Sequence, residues 1–367
     1  MRKIFVSMVL LALLDAAAAH TACPKTPTQE PVPQYRVEPA WPKPLPNHWT
    51  LGAVCGVAVD RHQNIWIVHR PPNPVPPVLE FSPDGSLLAA WGGPGPGYNW
   101  PELVHGVYVD LNDHVWVGGA GAKDNQILKF TAQGKFLLQI GHPGQNRGSN
   151  DTENLGGPAG IAVDDPANEV YVADGYINHR VIVFDATTGV YKRHWGAYGK
   201  RPDDSYYMRL GIQPGVHPNN LNRTPPSPTP PPQFDLVHSL RLSKDGFVYV
   251  CDRTNNRLQV FRRDGRFVRE AFVANDVRAS GSTSDIGFSA DPGQRFVIVL
   301  DSTKDVVYVL DRRSLKILGS FGKSGTRPGE FHTVHNMAVN AKGDLFIGDV
   351  GGARVQKFVQ TGTGKSE

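Results

Sequence analysis

Gly106-Val-Tyr-Val-Asp110, then Val115-Trp-Val117, then Ile127-Leu-Lys-Phe130, is the stretch that decides the fold. It contains an alternating strand, an Asp-led turn, a second strand and a third strand closing on Phe. The same phrase recurs along the chain. It reads Gly56-Val-Ala-Val-Asp60, Ile65-Trp-Ile-Val68 and Val78-Leu-Glu-Phe81, and then Gly160-Ile-Ala-Val-Asp164, Val170-Tyr-Val172 and Val181-Ile-Val-Phe184. Three further copies begin at Ser239, Gly287 and Asn336, and the copy at Gly287 is the most degenerate. Side chains that alternate with period two are the mark of half-buried strands. Asp, Asn and Gly supply the turns between them. A fourth strand follows in most copies, as in Phe136-Leu-Leu-Gln-Ile140 and Phe267-Val-Arg-Glu270. Six four-stranded units at this period predict an all-β chain folded as a six-bladed β-propeller, in which radial packing leaves only short sheet edges.

Three copies carry Asp, a short gap, Arg, and then the strand that ends in Phe: Asp174 to Arg180, Asp252 to Arg257 and Asp349 to Arg354. This pattern resembles the NHL-repeat family of six-bladed propellers. The propeller is expected over residues 48–360. Blade six stops after three strands, and Tyr35-Arg-Val-Glu38 is expected to supply its outer one. Two segments stand apart: a Pro-rich extension over 20–47 and an insert over 199–233, whose proline run is polyproline-like. Residues 361–367 read as a tail.

Arg2 and Lys3, the apolar run Ile4 to Leu14 and the small residues Ala16 to Ala19 form a signal-peptide pattern over residues 1–19. The expected location is secreted or periplasmic. Three cysteines, Cys23, Cys55 and Cys251, allow at most one disulfide and are no disulfide framework. A formal net charge of +4, with no basic run, points away from nucleic acid and from membrane surfaces. The expected state is a monomer acting on a small molecule or peptide.

Counting back five residues from the turn that ends each inner strand gives Cys55, His105, Ala159, His238, Ile286 and His335. The histidines fall in alternate blades, about 120° apart around a six-fold ring. With 13 His in 367 residues, three in six named slots arises by chance roughly once in a thousand. They are expected to converge on the axis at one mouth and hold one metal ion. Three neutral imidazoles with an open position suit a catalytic zinc site. Cys55, in the same slot of blade one, reads either as a thiolate ligand or as a small buried residue. Arg70 and Arg253 end second strands across the ring from each other, and Asp174-Gly175-Tyr176 forms the matching corner of blade three. A guanidinium fork fits a carboxylate. The same corners also serve in turn hydrogen bonds.

Val68-His-Arg70, Leu103-Val-His-Gly106, Ala173-Asp-Gly-Tyr176, Asp235-Leu-Val-His-Ser239 and Cys251-Asp-Arg253 resemble peptidyl-α-hydroxyglycine α-amidating lyase, and the similarity runs over roughly residues 50 to 360. The resemblance implies zinc (Zn2+) on His105, His238 and His335, a catalytic Tyr176, and Arg70 and Arg253 as active-site arginines. It also implies a structural calcium (Ca2+) on the carbonyls of Val57 and Val107 and on an aspartate, a position that holds the neutral Asn336 here. The family's disulfide cysteines have no match, and the histidines follow valine rather than proline. The implied activity is a zinc-dependent lyase that splits an N-acyl-α-hydroxyglycine into an amide and glyoxylate. The competing readings are a metal-dependent propeller hydrolase or lactonase, whose sites lean on Glu, Asp and Asn, and a non-catalytic NHL binding scaffold. Fold alone decides among none of them.

Overall fold

The computed structural model describes residues 31–72, 74–209, 230–277 and 280–364. The signal-peptide pattern, Cys23 and the middle of the insert lie outside the described residues.

Six four-stranded antiparallel sheets form the blades. Blade one is Ala53–Val59, Ile65–Arg70, Val78–Phe81 and Leu87–Trp91, numbered from the axis outward. Blade two is Val104–Val109, His114–Gly119, Gln126–Thr131 and Phe136–Gly141. Blade three runs from Pro158–Asp164 to Tyr191–Trp195, blade four from Val237–Leu242 to Phe267–Phe272, and blade five from Asp285–Phe288 to Ile317–Phe321. Blade six takes Val334–Val339, Leu345–Asp349 and Arg354–Gly364 from the end of the chain, and Val32–Glu38 as its outer strand. Tyr35 to Glu38 pairs with Gln360 to Lys357, so the start of the chain closes the ring as expected. The closing strands reach further than the sequence suggests. Val32–Glu38 lies within the Pro-rich extension, and the last strand continues to Gly364 into the stretch read as a tail.

The Asp that ends an inner strand organises the turn after it. Asp60 accepts the backbone N–H groups of His62 (2.8 Å) and Asn64 (2.9 Å), and the indole N–H of the buried Trp66 (2.9 Å). Asp110 repeats the arrangement with Asn112, His114 and Trp116. Such local side-chain bonds are why Asp is favoured in turns. The core lies between blades. Trp66, Val68 and Val78 of blade one pack on Val115, Val117, Leu128 and Phe130 of blade two. Each such fully buried side chain contributes about 1.5–3 kcal/mol.

The NHL corners are buried ion pairs. Arg180 meets Asp174 at 2.7 Å and Arg257 meets Asp252 at 2.6 Å, with all four side chains fully buried, and Arg354 meets Asp349 at 3.0 Å. Arg180 also donates to the carbonyls of Ser149 and Asn154, pinning the loop that enters the blade. Arg257 does the same for Pro231 and Gln233 at the end of the insert. Removing one partner would strand a buried charge, at about 3–5 kcal/mol. The insert leaves and returns at one place, where the Asp203 N–H donates to the Gln233 side chain at 3.1 Å.

Candidate metal centre

The inner strands of blades one, two, three, four and six each slip register at the slot counted from the sequence. Val237 pairs with Asp252 and Ser239 with Cys251, leaving His238 unpaired between them. The slips at Val54/Gly56, Val104/Val107, Pro158/Gly160 and Val334/Asn336 do the same for Cys55, His105, Ala159 and His335. A β-bulge kinks the strand and re-aims a side chain. It lets sequence neighbours such as His238 and Ser239 both face the channel, which strict alternation forbids. Close approach of the blades explains the glycine that follows the slot. A Cβ on Gly56 would stand 2.6 Å from the His105 carbonyl oxygen, and one on Gly106 would stand 2.6 Å from that of Ala159. Contacts this short exclude any side chain at either position.

His105, His238 and His335 are buried, and each offers a ring nitrogen within 4.8 Å of the others. Their outward nitrogens fix the tautomers. His105 Nδ1–H donates to the Ala159 carbonyl (2.8 Å), and His238 Nδ1–H donates to the Ser284 carbonyl. Blades three and five therefore hold the histidines of blades two and four. His335 Nδ1–H donates instead to the side-chain oxygen of its neighbour, Asn336. With every Nδ1 carrying the proton, each Nε2 presents a lone pair to the common centre. His238 Nε2 and His335 Nε2 stand 3.2 Å apart. Two such lone pairs make no hydrogen bond. The spacing matches that of two ligands about 2.0–2.1 Å from one tetrahedral ion, roughly 3.3 Å. Burial holds His105 at a pKa of about 3, with the Arg70 charge adding to the effect, and holds His238 and His335 well below the ordinary value. Imidazoles kept neutral in this way are able to serve as metal ligands.

The three corner residues join them. Tyr176 Oη lies 2.9 Å from His105 Nε2. Arg253 is buried, hydrogen-bonds the Tyr176 hydroxyl and donates from Nη2 to Ser302 Oγ at 2.9 Å, while its Nε–H has no partner. Arg70 is partly exposed and donates from Nε to the Val104 carbonyl at 3.2 Å. Its charge and that of Arg253 both act on His105 and Tyr176. In the protein alone burial raises the Tyr176 pKa above the ordinary value, and Arg253 and Arg70 only oppose that rise.

Cys55 is not drawn into the cluster. Its buried thiol donates to the Val104 carbonyl at 3.0 Å, and burial pushes its pKa up to about 11. Cys55 and Cys251 are both free. His69, next to Arg70, is structural: its ring accepts the Gly52 N–H and donates to the Pro76 carbonyl, both at 3.0 Å. Sequence reasoning missed Ser302, which shares the second-strand corner of blade five with Asp301. It also missed Asn336 as a partner of His335. Ser302 was legible in principle, because it follows a strand-ending Asp as Arg253 does.

The positions implied for calcium are assembled differently from the histidines. Val57 and Val107 line a cavity of about 210 Å³ in the channel, together with Arg241 and Met337. Asn336 is committed through both ends of its amide, since Oδ1 accepts from His335 and Nδ2 donates to Asp285 at 3.3 Å. Calcium takes six to eight oxygen ligands, usually with carboxylates among them. The carboxylate beside Asn336 is Asp285, and it is already fully hydrogen-bonded. These residues do not fit a calcium ion.

The NHL-repeat family model matches residues 155–184 and 234–261, in blades three and four. The chain is 25% identical to NHL repeat-containing protein 3 of Homo sapiens, over 89% of this chain and 84% of that one. It is 24% identical to peptidyl-alpha-hydroxyglycine alpha-amidating lyase 1 of Drosophila melanogaster, over 90% of this chain but only 61% of that enzyme. A solved streptogramin B lyase superposes with a TM-score of 0.53 at 11% identity, covering 89% of this chain and 98% of the other, a likeness of fold alone. The chain is thus a six-bladed β-propeller with NHL repeats whose distant relatives include amidating lyases, and its channel mouth carries three buried histidines able to hold one metal ion.

Proposed function

We propose that the chain is a zinc-dependent carbon–nitrogen lyase acting on N-acyl-α-hydroxyglycine-like substrates. The observation that carries this reading is the joint placement of three Nε2 lone pairs, a tyrosine hydroxyl and two arginines at one mouth. A hydrolase of the Glu, Asp and Asn type would need carboxylates where these histidines stand.

His105, His238 and His335 would hold the ion, which when bound supplies a Lewis acid for a substrate oxygen. Arg253, with its unpartnered Nε–H, and Arg70 bind and orient the substrate carboxylate. With the ion bound beside it, and with Arg253 and Arg70 opposing the effect of burial, Tyr176 would be held as the phenolate, the form that accepts the proton of the α-hydroxyl. The C–O bond becomes a carbonyl as the C–N bond breaks, and the electron pair goes to the amide nitrogen. That nitrogen takes up one proton, which Tyr176 returns, so the products are a primary amide and glyoxylate. The signal-peptide pattern puts this activity outside the cytoplasm.

The test is metal analysis of the purified chain together with glyoxylate release from a panel of α-hydroxyglycine derivatives. One zinc per chain with glyoxylate formed is expected. A metal-free, stable protein that releases none would favour the scaffold reading.

A further inference from the structure

Below the histidines the channel contains a fully buried carboxylate, Asp285, on the inner strand of blade five. It accepts hydrogen bonds from the Ile286 and Met337 N–H groups, both at 2.8 Å, from the Ser239 hydroxyl and from the Asn336 amide. Its charge is met by Arg241 of blade four, whose Nη2 lies 2.8 Å from Asp285 Oδ2. The same guanidinium donates to the Leu240 carbonyl (2.9 Å) and the Ser239 hydroxyl (3.1 Å) of its own blade. It reaches across to the Met337 carbonyl of blade six at 3.1 Å. One side chain thus ties three blades together near the axis, through a carboxylate, two carbonyls and a hydroxyl. These oxygen atoms are the donor types a hard cation takes.

We infer that Arg241 is the resident cation of the channel and does, with covalent attachment, the work that the resemblance assigned to calcium. Asp285 then takes the place of an acid at position 336, one blade over and already neutralised. Asn336 is left to hold His335 instead of a metal. A guanidinium suits the role because it stays charged when buried and offers five donors in a plane. The inference is independent of whatever reaction the mouth performs.

Two measurements on the full-length chain test it. In the first, wild-type protein is dialysed against calcium chloride or against calcium-free buffer. Bound calcium should stay well below one equivalent per chain, and the melting temperature should be the same in both buffers. The second is a double-mutant cycle on melting temperature with Arg241→Met and Asp285→Asn. Arg241→Met strands a buried charge and should melt several degrees lower. Adding Asp285→Asn removes that charge, and the double variant should recover much of the loss. If Arg241→Met does not fold, the double variant, which carries no stranded charge, should fold nonetheless. One tightly bound calcium per wild-type chain would overturn the inference, as would strictly additive losses in the cycle or a double variant that fails to fold.

Discussion

The mouth of the channel and its middle meet the same problem, charge and lone pairs taken out of water, in opposite ways. At the middle, Asp285 and Arg241 are a complete set, with acid, cation and hydrogen bonds all supplied by the chain. At the mouth, three imidazoles turn their lone pairs toward one another, and the nearest positive groups, Arg70 and Arg253, oppose rather than supply a proton there. Both regions use the same inner strands, since His238 and Arg241 lie on Val237–Leu242. The mouth offers ligand atoms that could take a cation from outside, whereas the middle carries its own. Changes at the mouth should therefore remove metal or activity and spare the fold. Changes at the middle should lower stability and spare the metal.

The largest expected effect is at the mouth. Replacing His238 with Ala takes one of three ligands and should reduce bound zinc to a small fraction of an equivalent by elemental analysis, with lyase activity lost. The folded signal by circular dichroism should persist. Full zinc occupancy in this variant would mean the lone pairs face each other for some other reason. Tyr176→Phe comes next. It removes one hydroxyl and should leave zinc content alone, while turnover falls by roughly 10²–10⁴, the usual contribution of a positioned general acid or base. Unchanged turnover on the true substrate would take the proton-transfer role away from Tyr176.

Asn336→Ala sharpens the contrast because Asn336 touches both regions. Its oxygen holds the His335 proton, and its amide N–H reaches Asp285. Loss of an outer partner of a metal-binding histidine typically weakens the metal by about 10–100-fold. Zinc affinity measured against a competing chelator should fall by that factor, and zinc-free melting should change little. Asp285 keeps Arg241 and two backbone donors. A large drop in the melting of the zinc-free variant with affinity intact would assign Asn336 to the middle instead.

How much of this was legible in the sequence follows from which signals are periodic. The blades announce themselves because period-two strands, Asp-led turns and closing Phe residues repeat, and the histidines emerge once the repeats are aligned. Their place on the inner strands was read by counting, but the way the strand turns them inward was not. It depends on bulges that break alternation at the slot, and a bulge leaves no mark beyond the glycine after it in blades one to three. The Arg241–Asp285 pair was invisible for a different reason. Its partners come from blades four, five and six at unrelated positions in the repeat, and no spacing rule joins them. Ring closure could be read by counting: three strands in blade six left one to be found. Tautomers, and the rise in the Tyr176 pKa from burial, belong to three-dimensional packing and could not have been counted at all.

The smallest expected effect concerns the slot in blade one, where the rule that found the histidines places Cys55. Position alone makes the cysteine a fourth ligand, and its surroundings argue otherwise. A thiolate binds metal, and a thiol whose pKa is pushed up to about 11 stays protonated near neutral pH. Its proton is already given to the Val104 carbonyl, one residue before His105. Cys55 thus packs where blades one and two meet, as a small apolar side chain with one weak hydrogen bond. Cys55→Ala should leave zinc stoichiometry and affinity unchanged and lower stability by about 1 kcal/mol, in the range of a lost weak bond and a slightly smaller side chain. If the variant instead loses zinc, or if the visible spectrum of the cobalt-substituted protein loses a thiolate-to-metal band on mutation, the mouth is a four-residue site. The open position that the proposed chemistry requires would then be gone.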